Sequence, residues 1–231
     1  MKVMSFNTQH CLGYVEQKIN YQLMADTINK CGADIVGLNE MRSDDENTPY
    51  DRQAEILSEL TELKYHYFAK AIEVKEDDIS YSYGNAIISR YPIIRAETIL
   101  IPDPVPKKGE TRCVLKAKLE NGVTVLVTHF GLREVEQENA VSTVIDNIEK
   151  EKCILMGDFN LTPENEIINP IRERMVDTAC KFESKLLSFP SDIPDRKIDY
   201  IFATSDMKIL DADIPAIVAS DHRPHTAEID I

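Results

Sequence analysis

The chain contains no tryptophan, no CxxC pair, no internal repeat and no apolar run near the roughly 18 residues that a membrane-spanning helix requires. Membrane insertion is therefore not expected. The five cysteines, Cys11, Cys31, Cys113, Cys153 and Cys180, are odd in number and widely spaced, which argues against a disulfide framework or a zinc knuckle and reads as reduced, mostly buried thiols. The opening stretch MKVMSFNTQH has no apolar signal region followed by a small-residue cleavage site, so a cytoplasmic location is the expectation. Positive charge is also scarce. Lysine and arginine number 26 against 40 aspartate and glutamate, a net charge of −14. A field of that sign repels polyanions and disfavours duplex DNA as a partner. Acidic runs such as EVKEDD (73–78) read as solvated loop, and nothing marks an obligate protein partner.

Apolar residues make up 43% of the 231, enough to core one globular domain spanning 1–231. Apolar runs predict strands at 2–6, 34–39, 84–89, 123–130, 153–159, 197–203 and 225–231. The central ones are apolar almost throughout, as strands covered on both faces are. Helical periodicity appears at 133–149, where Val141, Val144, Ile145 and Ile148 share a face, at 50–63, and more weakly at 19–31. The proline-rich stretch 101–110 reads as an exposed loop between strands. Strands and helices interleave, which predicts an α/β sandwich.

Polar residues close strand after strand. Asn7 ends MSFN, Glu40 ends IVGLNE, His129 ends VLVTH, Asp158 and Asn160 flank Phe159 in LMGDFN, and Asp221 and His222 follow IVAS, while Asp199 opens KIDYIF. Each has an ordinary explanation as a cap, a core histidine or a salt-bridge partner. Their repetition at strand ends does not, because α/β folds gather their sites at such edges. In an extended chain Asp158 and Asn160 would point to one face, with Phe159 on the other. The chemistry is specific as well. Glu40, Asp221 and the Asn7 carboxamide are hard oxygen ligands suited to Mg²⁺ or Mn²⁺. His222 beside Asp199 is an oriented imidazole, and Asp158 is a carboxylate able to position or deprotonate water. Together they match metal-assisted hydrolysis of a phosphate ester.

The segments MSFN, LNE, YGNAIISRYPI, THFGL, GDFN, KIDYIF and SDHRP, spread over residues 3–225, resemble in order and spacing the endonuclease/exonuclease/phosphatase family, which shares the pancreatic deoxyribonuclease fold. The resemblance implies a four-layer α/β sandwich, two packed mixed β-sheets flanked by helices, with the site at one sheet edge. It further implies that Glu40 is the principal ligand of a Mg²⁺ or Mn²⁺ ion, with Asn7 and Asp221 near it. Asp158 and Asn160 would orient the attacking water and steady the phosphate, His222 held by Asp199 would contact the scissile phosphate, and His129 would be a second phosphate contact. Arg112 and Asn85 fall in recurring family segments and are expected to line the substrate pocket.

The family acts on DNA, RNA, sphingomyelin, inositol phosphates and other esters, so the resemblance does not name the substrate. The absence of tryptophan and the net negative charge weigh against an abasic-site endonuclease, and the absence of a signal segment against a secreted sphingomyelinase. A soluble phosphodiesterase or phosphatase acting on a modest-sized ester is the expectation, with Phe189 and Pro190 as a pocket wall. The alternatives are a nuclease, whose basic stripe would draw on Lys107, Lys108, Arg133, Arg172 and Arg174, and a non-catalytic binding protein. The latter would be expected to lack part of the set, and every member is present.

Overall fold

The most uniformly apolar segments become the centre of the molecule. A computed structural model describes residues 1–44, 52–76, 79–103 and 110–231; Lys107 and Lys108 lie outside the described residues. Along the chain run β1 (Lys2–Asn7), α1 (Tyr21–Cys31), β2 (Ile35–Asp44), α2 (Gln53–Thr61), β3 (Tyr65–Glu76), β4 (Ile79–Ser89), β5 (Ile93–Leu100) and β6 (Cys113–Leu119). Then follow β7 (Thr124–His129), α3 (Glu134–Asn147), β8 (Cys153–Asp158), α4 (Asn169–Arg172), β9 (Val176–Asp177), β10 (Asp199–Ala203), β11 (Lys208–Asp213) and β12 (His225–Asp230). Two six-stranded mixed sheets result, in the orders β11-β12-β1-β2-β4-β3 and β5-β6-β7-β8-β10-β9. Each has a single parallel pair near its middle, β1 with β2 and β7 with β8.

The sheets pack face to face through Val3, Ile35 and Ile87 of the first and Leu115, Val127 and Met156 of the second. Gly37 permits this approach, since a Cβ there would come within 2.6 Å of the Met156 sulfur. Outside the first sheet, α1 and α2 cover Met4, Phe6 and Leu38 with Met24, Ile28 and Leu57. Outside the second, α3 covers Leu126 and Leu155 with Val141 and Val144. Burying each such aliphatic side chain contributes about 2 kcal/mol. Helix ends are set by local chemistry: the Asn20 side chain accepts a hydrogen bond from the Leu23 N–H, and Gly32 at φ 65° closes α1 in a left-handed cap. The expected four-layer sandwich is present. No helix among the described residues is long and apolar enough to cross a membrane.

This topology decides where chemistry can occur. Asn7, His129 and Asp158 are the last residues of β1, β7 and β8, and β1 packs on β8 while β2 packs on β7. The C-terminal ends of both parallel pairs therefore open on one edge of the sandwich.

Candidate active site

Strand register sets the first three side chains abreast. His129 pairs with Asp158 across β7 and β8, and Asp158 with Asp199 across β8 and β10. Gly157 makes the close approach of β7 and β8 possible: its φ is 149°, and a Cβ there would fall 1.8 Å from the Thr128 carbonyl oxygen. After Asp158 the chain does not stay extended. The Asp158 Oδ1 accepts the Asn160 N–H at 3.0 Å in a tight turn, and Asn160 takes a left-handed φ of 50°. Phe159 anchors the turn by stacking on Phe130 in the core, 4.5 Å between centroids. Asp158 and Asn160 thus face one cleft through a turn rather than through strand alternation.

His222, just before β12, donates from Nδ1 to the Asp199 Oδ2 at 2.8 Å, with Nε2 3.6 Å from the Asp158 Oδ2. The Ser188 hydroxyl accepts from the Ile198 and Asp199 N–H groups and fixes the start of β10, while the Phe189 ring packs 4.7 Å from the imidazole. Burial pulls the His222 pKa down, but the carboxylates of Asp199 and Asp158 outweigh it and hold the ring as an imidazolium, up to about 10. Burial, reinforced by Asp199 and opposed by His222, raises Asp158 to about 7. Asp158 is therefore a carboxylate poised near neutrality, where a general base is most useful. His129 is the opposite kind of histidine. Burial, then the charges of Arg112 and His222, push its pKa well below the ordinary value, so it is neutral. An Arg112 N–H lies 2.6 Å from its Nδ1, which accepts because arginine only donates, and its Nε2 lies 3.2 Å from the Asn160 Nδ2 and 3.4 Å from the Asp158 Oδ2.

The first sheet supplies the other wall. Glu40 does not end its strand as expected; it sits in a β-bulge between Leu38 and Met41 with a left-handed φ of 61°. A bulge re-aims a side chain, and this one faces the cleft. The Asn7 Nδ2 donates to the Glu40 Oε1 at 3.0 Å and the Asp158 Oδ2 at 3.1 Å, while its Oδ1 accepts the Gln9 N–H. Asn7 therefore turns its nitrogen to the two carboxylates and bridges them, with its oxygen on the Gln9 N–H. Asn85 differs from its expected place as well. It is buried, accepting from the Asn39 Nδ2 and donating to the Cys113 carbonyl, so its carboxamide is committed beneath the pocket.

Glu40, Asp158 and Asp221 line one cleft of about 430 Å³, together with Arg112, His129, Asn160 and His222. The volume is that of a small-ligand site. The cleft's donors are hard carboxylate oxygens with no thiol among them, which fits Mg²⁺ or Mn²⁺. Glu40 and Asp221 are the carboxylates suited to hold such an ion. The tightest acidic and imidazole group among the described residues is a different one, Asp158, Asp199 and His222, with donor atoms within 4.8 Å of one another. In this geometry the His222 Nδ1 is already engaged with the Asp199 carboxylate.

Sequence reasoning passed over two residues. Asn39 is buried, and its side chain donates to the Thr128 carbonyl and accepts the Asp158 N–H, stapling the two sheets directly under the site. A carboxamide in the apolar run IVGLN was the available signal. Arg196 lines the cleft, and its exposed ion pair with Asp195 gave no hint of that. Arg133 pairs with Glu136 and with Asp103, and Arg172 and Arg174 contact Asn169 and the Ile145 carbonyl beside α3. None of these three lines the cleft.

A two-sheet sandwich with carboxylates and imidazoles gathered at one sheet edge defines a class, and the sequence profile of the Endonuclease/Exonuclease/phosphatase family matches residues 4–222. The chain belongs to that family. Solved structures of the same fold include a family member from Beutenbergia cavernae, with TM-score 0.81, 19% identity, and coverage of 99% of this chain and 71% of that one. A mannosyl-6-phosphatase from Bacteroides thetaiotaomicron superposes with TM-score 0.75 and 16% identity over 100% of both chains. Truncated Caenorhabditis elegans TDP2 gives TM-score 0.66 and 15% identity, covering 98% of this chain and 95% of that one. No curated protein matches the chain.

Proposed function

We propose that the protein is a divalent-metal-dependent phosphoesterase that hydrolyses a small phosphate ester by attack of water. The observation that carries this reading is the convergence of the Asp199–His222 hydrogen-bonded pair, Asp158, Glu40 and Asp221 on a cleft of small-molecule size. Asp158 takes the proton of the attacking water, and Asn160 holds the turn on which that carboxylate sits. His222 offers its Nε2–H to the phosphate or the departing oxygen, with Asp199 fixing the ring and stabilising its charge. Arg112 and His129, side by side on the cleft lining, meet the phosphate oxygens. An ion held by Glu40 and Asp221 supplies, when bound, Lewis-acid charge against the developing phosphate charge. The net charge of −14 favours a small ester over a nucleic acid, and one structure that shares the fold is a mannosyl-6-phosphatase. Five free cysteines suit a reducing, cytoplasmic setting.

The test is hydrolysis by the purified protein, with Mg²⁺, Mn²⁺ or chelator, of p-nitrophenyl phosphate, its bis-aryl diester, hexose 6-phosphates, single-stranded and duplex DNA, RNA and choline phospholipids. Metal-dependent turnover of the small esters is expected. Folded protein that cleaves none of them, or cleaves nucleic acid far faster, overturns the reading.

A further inference from the structure

The cleft lining is not made of carboxylates and imidazoles alone. Leu132, 76% exposed, Phe189 and Ile198 give it apolar walls, and Arg196 gives it a positive charge. Residues 189–196 form a hairpin closed by a Phe189–Arg196 bridge. It is tied to the strand end that carries Asp221 and His222. The Ser191 N–H donates to the Asp221 carbonyl at 2.7 Å, the Ser191 hydroxyl to the Ser220 carbonyl, the Arg223 N–H to the Ser188 carbonyl and the Arg223 Nε to the Ser191 carbonyl. The hairpin backbone that carries Arg196 is thus fastened to the segment that carries the catalytic imidazole. Its guanidinium carbon lies 5.7 Å from the Phe189 centroid, and Phe189 lies 4.7 Å from His222. Phe189 therefore contacts both positive groups, and both line the same cleft. The guanidinium's ionic partner is its neighbour Asp195, held through both Nε and Nη2 in a pair open to solvent on both sides, so an incoming anion competes with a solvated carboxylate rather than a buried one.

We propose that Arg196 is a specificity-determining residue that selects ring-bearing phosphate esters carrying a second anionic group across the ring from the scissile phosphate. The proposal rests on the phosphoesterase reading of the site. With the phosphate at His222 and His129, a sugar or aryl ring lies between Leu132 and Phe189, and a carboxylate or second phosphate on its far side meets the Arg196 fork, which matches such anions in two parallel hydrogen bonds. A ring without that second charge leaves the guanidinium with Asp195 alone.

Phenyl phosphate and 4-carboxyphenyl phosphate differ only in that group. The ratio of their kcat/KM values, carboxylated over plain, is measured for the parent, Arg196→Met and Asp195→Asn. Comparing ratios between proteins removes the leaving-group difference. Loss of one charge-assisted contact corresponds to about a tenfold fall in the ratio for Arg196→Met, and Asp195→Asn, which frees the guanidinium, raises it. Calorimetric binding of phenylphosphonate and 4-carboxyphenylphosphonate to the same proteins reads the preference without turnover. A ratio and a binding preference both unchanged within twofold in Arg196→Met overturn the proposal. A parent that binds the carboxylated phosphonate preferentially through Arg196 yet hydrolyses no ester keeps this inference and removes the phosphoesterase reading.

Discussion

Two carboxylates of the cleft, Asp158 and Glu40, have environments that predict opposite responses to mutation. Asp158 is buried between His129, His222 and the Asn7 amide, and burial holds its proton affinity near neutrality. Asp158→Asn keeps the shape but removes the base, so turnover should fall by about 10²–10⁴. Excess metal should not restore it. Glu40 instead projects from a strand bulge toward the open cleft, where it suits an ion. Glu40→Gln should weaken metal affinity and recover part of its activity as Mg²⁺ is raised. Activity titrated against metal concentration for both variants decides the matter: recovery of Asp158→Asn to parental turnover would make Asp158 a ligand.

At the level of strands and turns, the site depends on how two sheets are fastened together. Asn39 spans them, donating from β2 to the Thr128 carbonyl of β7 and accepting the Asp158 N–H of β8. Asn39→Ala leaves both groups buried without partners, so it should cost about 3–5 kcal/mol in urea unfolding at about 1–3 kcal/mol per orphaned group plus the lost Asn85 contact. A cost below about 1 kcal/mol would mean that water replaces the amide freely. Gly157→Ala meets the Thr128 carbonyl and an unfavourable φ together, and should destabilise by on the order of 3 kcal/mol or more in the same measurement. These fasteners explain what the sequence disclosed and what it hid. Strands apolar on both faces, such as VTVLVTH and CILMGDF, announce themselves, and their closing residues Asn7, His129 and Asp158 are at the edge where they were expected. The strands β3, β5, β6, β9 and β11 were not predicted. Of these, β3, β5 and β11 mix exposed charged positions into the strand, β6 alternates in its second half, and β9 has only two residues, so none forms a continuous apolar run. Nor does spacing along the chain encode the Glu40 bulge, the Asn7 bridge between Glu40 and Asp158 or the burial of Asn85, because each depends on cross-strand register.

Across the whole molecule, buried histidines tie stability to pH. His225 sits in the interior with its ring nitrogens near the Thr178 hydroxyl and the Asp199 carbonyl. Burial, then the Lys197 charge, push its pKa well below the ordinary value, and His129 is depressed in the same way by burial and Arg112. In the unfolded chain each titrates near about 6.5. As pH falls below that, the unfolded state binds protons that the native state refuses, so each histidine lowers native stability by about 1.4 kcal/mol at pH 5.5. Asp158 works in the other direction. Its native pKa of about 7 lies above the unfolded value, so the native state takes up its proton first and gains stability as pH falls through 7. His222, raised to about 10, contributes stability that is fully present below about 6.5 and is lost as pH rises through 10. The parent curve mixes these terms; a variant separates one of them. His225→Gln should be less stable than the parent at pH 7.5 by about 1–2 kcal/mol, from its lost hydrogen bonds. Between pH 7.5 and 5.5, however, it should escape about 1.4 kcal/mol of the change that the parent shows. Urea unfolding of both proteins at the two pH values, without metal, measures the difference of differences. A value near zero would mean that His225 is protonated in the native state, with Thr178 and the Asp199 carbonyl as acceptors of an imidazolium.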